Sequence, residues 1–296
     1  MLKSKSLKLT LCAGAALASL SVLSTSAFAG EDSKTTKEIQ TTEQPKSAIT
    51  GDLGVNFVSQ YISRGLVLEN QGVIAQPYAD LYFSLYEGTG FINKVSLNLG
   101  IWSSLHSREV PGSTTAAWYE FDWTPGIAVT FAKNFTLTSS YFEFDSPNDS
   151  FKTARSANFR LDFNDADYLK AFALHPHVTY LRELEGKAGS GTHQGNYYEV
   201  GVAPGLPAYG PLTVTFPVTA GFGSSRFYQH NQGVGYISAG ANAAVALSFI
   251  PASYGTWTFN AGVTYYYLVG ALSYATSVQP NDHNDWVFNG GVGMTF

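Results

Sequence analysis

The sequence predicts an all-β fold: a single transmembrane antiparallel β-barrel of about twelve strands over residues 51–296. Three observations predict it. Apolar and polar residues alternate with a period of two through most of the chain, as side chains do on the two faces of a strand. The connections between the alternating stretches run long and short in turn. The first 29 residues have the organisation of a secretory signal peptide.

Composition narrows the class further. The 296 residues are 45% hydrophobic, 15% aromatic and only 13% charged, against roughly 25% charged in a soluble domain. A disordered chain is thereby excluded. Seventeen basic and 22 acidic side chains give a net charge of −5, so no basic footprint exists for phosphate polymers and nucleic acid is excluded as a partner. Twenty Phe, 18 Tyr, 5 Trp and 29 Gly suit strands and turns better than long helices.

At the amino terminus, Lys3, Lys5 and Lys8 precede an apolar stretch from Leu9 to Leu23 and a small-x-small end at Ala27-Phe28-Ala29. Cleavage after Ala29 removes three lysines and no acids, which leaves 14 bases, 22 acids and a net charge of −8. It also removes Cys12, so the mature chain has no disulfide, thiolate metal site or cysteine nucleophile. Residues 30–50 are polar and charged and cannot bury enough surface to offset the entropy of ordering, so they are expected to form a flexible periplasmic tail. From Gly51 to Phe296 there is no composition break, which predicts one domain.

After the signal no run of 18 apolar residues occurs, so no spanning helix is available. Mean hydropathy is −0.03, as expected where lipid-facing and lumen-facing positions cancel. The clearest strand is Ala117–Phe131. Its odd positions Ala117, Tyr119, Phe121, Trp123, Pro125, Ile127, Val129 and Phe131 form an apolar face; its even positions include Trp118, Glu120, Asp122 and Thr124. Before it, Leu53, Val55, Phe57 and Tyr61 oppose Asp52, Asn56 and Gln60. Ala79, Leu81, Phe83 and Leu85 oppose Asp80 and its even neighbours, and Val95, Leu97, Leu99 and Ile101 oppose Ser96, Asn98 and Gly100. After it, Phe159, Leu161 and Phe163 oppose Asn158, Arg160 and Asp162, while Phe172, Leu174, Val178 and Tyr180 oppose His175, His177 and Thr179. Leu212 to Phe222, Ile237 to Phe249 and Trp257 to Val269 repeat the pattern, and Phe135–Phe144 and Tyr197–Pro204 do so more weakly. The last strand, Asp285–Phe296, ends the chain on an aromatic residue and completes twelve.

With both termini in the periplasm, the outer connections have nine to fourteen residues and the inner ones at most seven. Aromatics such as Tyr61, Phe131, Phe163, Phe172, Tyr265 and Trp286 fall near strand ends, where interfacial girdles belong. A secreted β-sandwich also alternates, but it requires neither the loop phasing nor a terminal Phe. Pro77, Pro125, Pro176 and Pro217 fall inside the expected strands, where each removes a ladder donor and is expected only at an edge or bulge.

The first strand ends Ser59-Gln60-Tyr61-Ile62-Ser63-Arg64-Gly65, and the next opens Gln76-Pro77-Tyr78. This Ser-x-Tyr-x-x-Arg-Gly pattern resembles the opening of the TorF-type porin family, over about the first forty barrel residues. The resemblance implies an outer-membrane channel. It carries over only Ser59, Tyr61, Arg64 and Gly65, which either shape the exit from strand to loop or touch solute.

Function in a closed barrel lies on the inward face or in the outer loops. The inward acids are expected to be Asp52, Asp80, Glu120, Asp122, Asp162 and Glu199, against Arg160 as the main inward base. Because acidic rings favour cations, a narrow water-filled pore with weak cation preference is expected, unless these groups pair with one another inside a plugged barrel. His175 and His177, two apart on one strand with Glu199 on the next, are weak metal candidates without a third ligand in sequence. No cofactor is expected. The partners expected are outer-membrane lipids, small polar solutes and the barrel-assembly machinery acting through Phe296. A lipase- or protease-like barrel would need a positioned nucleophile and base; Ser59, Ser103, Ser104 and Ser140 are present, but neither a Gly-x-Ser-x-Gly nor a His-Glu-x-x-His motif occurs, so no enzymatic activity is expected. A surface receptor or adhesin acting through Arg182–Gly195 and Ala271–Asn284 is the third class.

Overall fold

The structure, a computed structural model, describes residues 48–108, 117–224, 226–229, 233–269 and 283–296. The expected signal peptide, most of the expected tail and most of the loop Ala271–Asn284 lie outside these residues. The chain forms β1 (Ile49–Val58), β2 (Tyr61–Ser63), β3 (Leu66–Glu69), β4 (Ile74–Glu87), β5 (Ile92–His106), β6 (Ala117–Phe131), β7 (Phe135–Asp145) and β8 (Ala154–Phe163). After a short helix, α1 (Ala166–Leu169), follow β9 (His177–Glu185), β10 (Asn196–Val202), β11 (Leu212–Thr215), β12 (Val218–Gly223), β13 (Val234–Ala246), β14 (Thr256–Leu268) and β15 (Asn284–Thr295).

All wall strands pair antiparallel with their neighbours, and β1 pairs with β15, so the sheet closes on itself. β11 and β12 are one strand interrupted at Phe216-Pro217, both pairing with β13, which makes the barrel twelve-stranded as expected. β2 and β3 stand apart as a hairpin. At the seam the Gly51 and Phe296 N–H groups each donate to the other's carbonyl at 3.0 Å. Gly51 is required there, because a Cβ would come within 2.6 Å of the Phe296 ring.

The distribution of side chains inverts that of a soluble core. Leu53, Phe57, Leu81, Ile101, Ile127, Phe159, Val178, Ile237, Phe259 and Phe288 are exposed on the outward face, whereas Asn98, Thr138, Asn158, Ser238, Asn260 and Thr264 are buried on the inward one. An apolar belt of this extent in water would be strongly unfavourable, and its natural surrounding is hydrocarbon. The belt is not covered by a second sheet, so the sandwich alternative is removed. Phe131, Phe135 and Phe163 lie directly opposite one another across β6, β7 and β8 and, with Phe91 and Tyr168, form a row of rings 4.6–5.9 Å apart at the end carrying the termini. Near the other end Tyr265 and Trp286 pair at 5.0 Å, and within the wall Tyr180 of β9 and Tyr198 of β10 pair at 5.4 Å.

Four expectations need correction. First, β6 gains one residue against β5 between Ser104 and Leu105, so Tyr119 is bulged and turns inward while Trp118 lies outside against Phe121. Second, Tyr61 and the residues after it leave the wall, and Tyr61 is 1% exposed inside the barrel rather than part of a girdle. Third, the strand expected from Phe172 begins only at His177; Phe172 and His175 belong to the preceding connection. Fourth, that connection, 164–176, is longer than the 146–153 connection at the opposite end, so the long-short phasing has an exception.

The prolines are accommodated as their chemistry requires. Pro176 sits just before β9 and Pro217 in the break between β11 and β12. Pro77 and Pro125 remain within β4 and β6, and the β4–β5 and β6–β7 ladders lapse beside them without change of register.

Candidate functional site

The interior is organised by the segment that follows β1. Ser59 closes the rim across the seam: its N–H donates to the Phe288 carbonyl and its hydroxyl accepts from the Phe288 N–H, both at 2.9 Å. The chain then folds into the bore as the β2–β3 hairpin. Arg64 and Gly65 form its turn at φ +50° and +82°, the left-handed pair that a two-residue hairpin turn of the I′ kind requires. Ile62, Leu66 and Val67 pack on Leu181, Tyr197, Tyr236, Tyr266 and Leu268 of the inner wall and on Phe227 and Tyr228 of the 224–233 connection. The Tyr228 hydroxyl donates to the Arg64 carbonyl at 2.9 Å, and the Tyr61 hydroxyl donates to Glu120 at 2.8 Å. Hydrophobic burial and these two bonds fix the hairpin within the lumen. Arg64 is thereby carried over the Phe144 ring, 5.0 Å from its centroid. Of the Ser-x-Tyr-x-x-Arg-Gly residues, Ser59 therefore sits at the exit from the wall, and Tyr61, Arg64 and Gly65 belong to the hairpin inside the barrel.

Of the charged wall residues, Glu120, Asp122, Arg160 and Glu199 are buried on the inward face, and Asp52, Asp80 and Asp162 share its register. Asp52 and Asp80 are directly opposed in the β1–β4 ladder, and the Tyr82 hydroxyl donates to Asp52 at 3.0 Å. Arg160 is engaged by Asp162, its Nε donating to both carboxylate oxygens at 2.9 and 3.0 Å. Glu199 accepts from Tyr197 at 2.7 Å and from Tyr236 at 3.0 Å and faces His177 Nε2 at 3.3 Å. The hairpin leaves a cavity of about 70 Å³ whose lining includes Arg64, Asp80, Trp102, Asp122, Thr179 and Glu199.

His175 and His177 do not share a face. His177 points inward to Glu199, whereas His175 has φ +47° and a side chain 48% exposed near Asp165. The cause is local. The Asp165 carboxylate accepts the N–H groups of Leu174 and His175 at 2.9–3.1 Å, and Pro176 follows, so the segment is held as a loop. Among the described residues no cluster of three metal-ligating side chains forms.

Burial raises the pKa of Asp165, but those backbone donors lower it by more, and it ends below the ordinary aspartate range. Its folded value thus lies below its unfolded one. The stabilisation is complete above the unfolded pKa and is lost as pH falls through the folded one. Asp165→Asn is therefore expected to speed amide exchange at Leu174 and His175 at neutral pH, and the wild-type protection is expected to fall towards the variant's in acid. Equal exchange in the two proteins at neutral pH would contradict this role.

Sequence reasoning missed the buried Glu69 and Glu183 and, although it named Ser104, the pairing of that hydroxyl with His106. Glu69 accepts the N–H groups of Asn70 and Gln71 at 2.8 Å. Glu183 accepts those of Ala188, Gly189 and Gly195 at 2.5–2.8 Å. Ser104 and His106 lie two apart on the inward face of β5, with Oγ and Nε2 2.9 Å apart and Glu69 3.9 Å from the other ring nitrogen. That order of groups resembles a hydrolase relay, but Ser104 is 0% exposed and His106 is stacked against Tyr119 at 4.7 Å, so no substrate carbonyl reaches the hydroxyl in this arrangement. The signal for the hairpin was present: Arg-Gly between the short runs Tyr-Ile-Ser and Leu-Val-Leu.

No protein-family model matches the sequence, and no curated protein sequence matches it either. Solved structures do share the fold. An outer-membrane channel from Pseudomonas putida F1 aligns with a TM-score of 0.50 at 7% identity, over 88% of this chain and 100% of that one. The NanC porin gives 0.43 at 12% identity, over 82% and 98%, and outer membrane phospholipase A from Escherichia coli gives 0.42 at 10%, over 86% and 94%.

Proposed function

We propose that this chain is a bacterial outer-membrane channel, of the kind its Ser59–Gly65 pattern resembles, through which small polar solutes diffuse passively with a weak preference for cations. The observation that carries this reading is a closed barrel with an apolar outside whose bore is acidic and narrowed by its own hairpin. The wall acids Asp52, Asp80, Glu120, Asp122, Asp162 and Glu199, with Glu69 and Glu183 also inside, stand against Arg64 and Arg160, and Arg160 is engaged by Asp162. A passing ion meets an excess of negative charge in a low-dielectric wall. Outer-membrane lipids surround the belt in this reading, and the terminal Phe296 is the contact for the barrel-assembly machinery.

Single-channel reversal potentials in a potassium chloride gradient test the reading. The wild type is expected to prefer potassium, and Asp80→Asn with Asp122→Asn is expected to shift the reversal potential towards zero. Anion preference in the wild type would reject the charge assignment, and absence of any conductance in a folded barrel would reject the channel.

A further inference from the structure

We propose that the lumen contains a binding site for a compact zwitterion of amino-acid type, whose carboxylate meets Arg64 and whose ammonium meets Asp122. The proposal rests on the channel reading above and names its solute class.

Both residues line the same cavity of about 70 Å³. Asp122 is 3% exposed and its carboxyl is paired with that of Glu120, yet its Oδ1 has no hydrogen-bond partner, and Thr179, 7% exposed on β9 three strands away, has an unpartnered Oγ1 in the same cavity. Buried acceptors left without donors are costly, which marks them as places a ligand can satisfy. Arg64 donates to Ser63 Oγ at 3.2 Å and lies over Phe144, but forms no ion pair with any described residue. Its guanidinium fork keeps free donors for a planar carboxylate.

The surrounding charges select against simpler solutes. An anion on Arg64 alone would face Asp80, Glu120, Asp122 and Glu199. A cation on Asp122 alone would be repelled by Arg64, which is within electrostatic reach of both Glu120 and Asp122. A neutral solute supplies neither charge. One molecule bearing both charges a few ångströms apart answers both groups at once. A cavity of about 70 Å³ suits a compact solute.

Four probes of one size separate these cases: glycine as zwitterion, glycinamide as cation, glycolate as anion and glycolamide as neutral solute. Binding is read from Trp102 emission in the purified full barrel, with Trp102→Phe as the spectral control, and independently from concentration-dependent reduction of channel current. Glycine is expected to bind saturably, and each of the others at least roughly tenfold more weakly, as loss of a charge-assisted bond implies. Arg64→Gln is expected to abolish the preference for glycine over glycinamide, and Asp122→Asn its preference over glycolate. Arg64→Lys is expected to retain part of the binding. Heat-modifiable gel mobility shows that each variant is folded; a variant that does not fold is replaced by Thr179→Val, which is expected to weaken glycine binding. An equal response to all four probes, or glycine binding unchanged in the folded variants, overturns the site. If current flows but glycine does not bind, this site fails and the channel stands. Glycine binding without current leaves the site standing and removes the channel.

Discussion

Replacing residues 60–70 with a short glycine-serine bridge is expected to raise single-channel conductance several-fold while the barrel still folds. A barrel of twelve strands lies between the eight that side chains fill and the sixteen to eighteen that leave an open aqueous channel, so what occupies the bore decides the current. Here the occupant is the hairpin, with Tyr61, Ile62, Leu66, Val67 and Glu69 all buried within the wall. Its removal takes away no wall ladder, because β2 and β3 pair only with each other. It does uncover Tyr197, Tyr236 and Tyr266, which packed against it and whose hydroxyls suit water. Tyr61→Phe is a milder version: it deprives Glu120 of the Tyr61 donor and is expected to raise fluctuation of the current more than its mean. Unchanged conductance after the replacement would mean that the hairpin does not set the constriction.

Glu183→Ala is expected to produce the largest loss of stability of any single lumen substitution. The carboxylate is almost fully buried and accepts three backbone N–H groups of the 186–195 connection. Alanine leaves all three without an acceptor, at about 1–3 kcal/mol for each orphaned group, so a total of roughly 3 kcal/mol or more follows. Glu183→Gln keeps one acceptor oxygen and is expected to lose less. Urea unfolding in lipid vesicles measures the shift, and proteolysis within 186–195 reports whether the loop is released first. A midpoint unchanged by Glu183→Ala would show that water or a rearranged loop replaces the carboxylate.

The wall was legible in the sequence because hydrocarbon outside and water inside force a choice at every second residue, and residues such as Leu53, Ile127 and Phe259 obey it. Parity alone therefore separates the two faces of the wall. It failed where one residue was added or where the chain left the wall. The bulge at Tyr119 reverses the phase without any change in composition. Past Val58 the alternation continues through Tyr61 although the strand has ended, so the pattern alone assigns Tyr61 to the wrong face. At His175 two neighbours, Asp165 and Pro176, outweigh the pattern through backbone hydrogen bonding. Of the partners of Glu199, Tyr197 lies two residues away on its own strand and His177 on the adjacent strand, within reach of sequence reasoning; Tyr236, on β13, was not legible because its meeting with Glu199 depends on the β10–β12 and β12–β13 registers.

Site-directed spin labelling along β6 tests the central claim most directly, since the expected mature chain has no native cysteine to remove. In lipid vesicles, labels at 121, 123, 127 and 129 are expected to collide mainly with dissolved oxygen, and labels at 124, 126, 128 and 130 mainly with a water-soluble nickel chelate. The phase is expected to invert at the bulge, with 118 joining the lipid-exposed set and 119 the interior. A uniform profile, or oxygen contact on the even positions, would contradict a barrel with its apolar face in the bilayer and its acids in the bore.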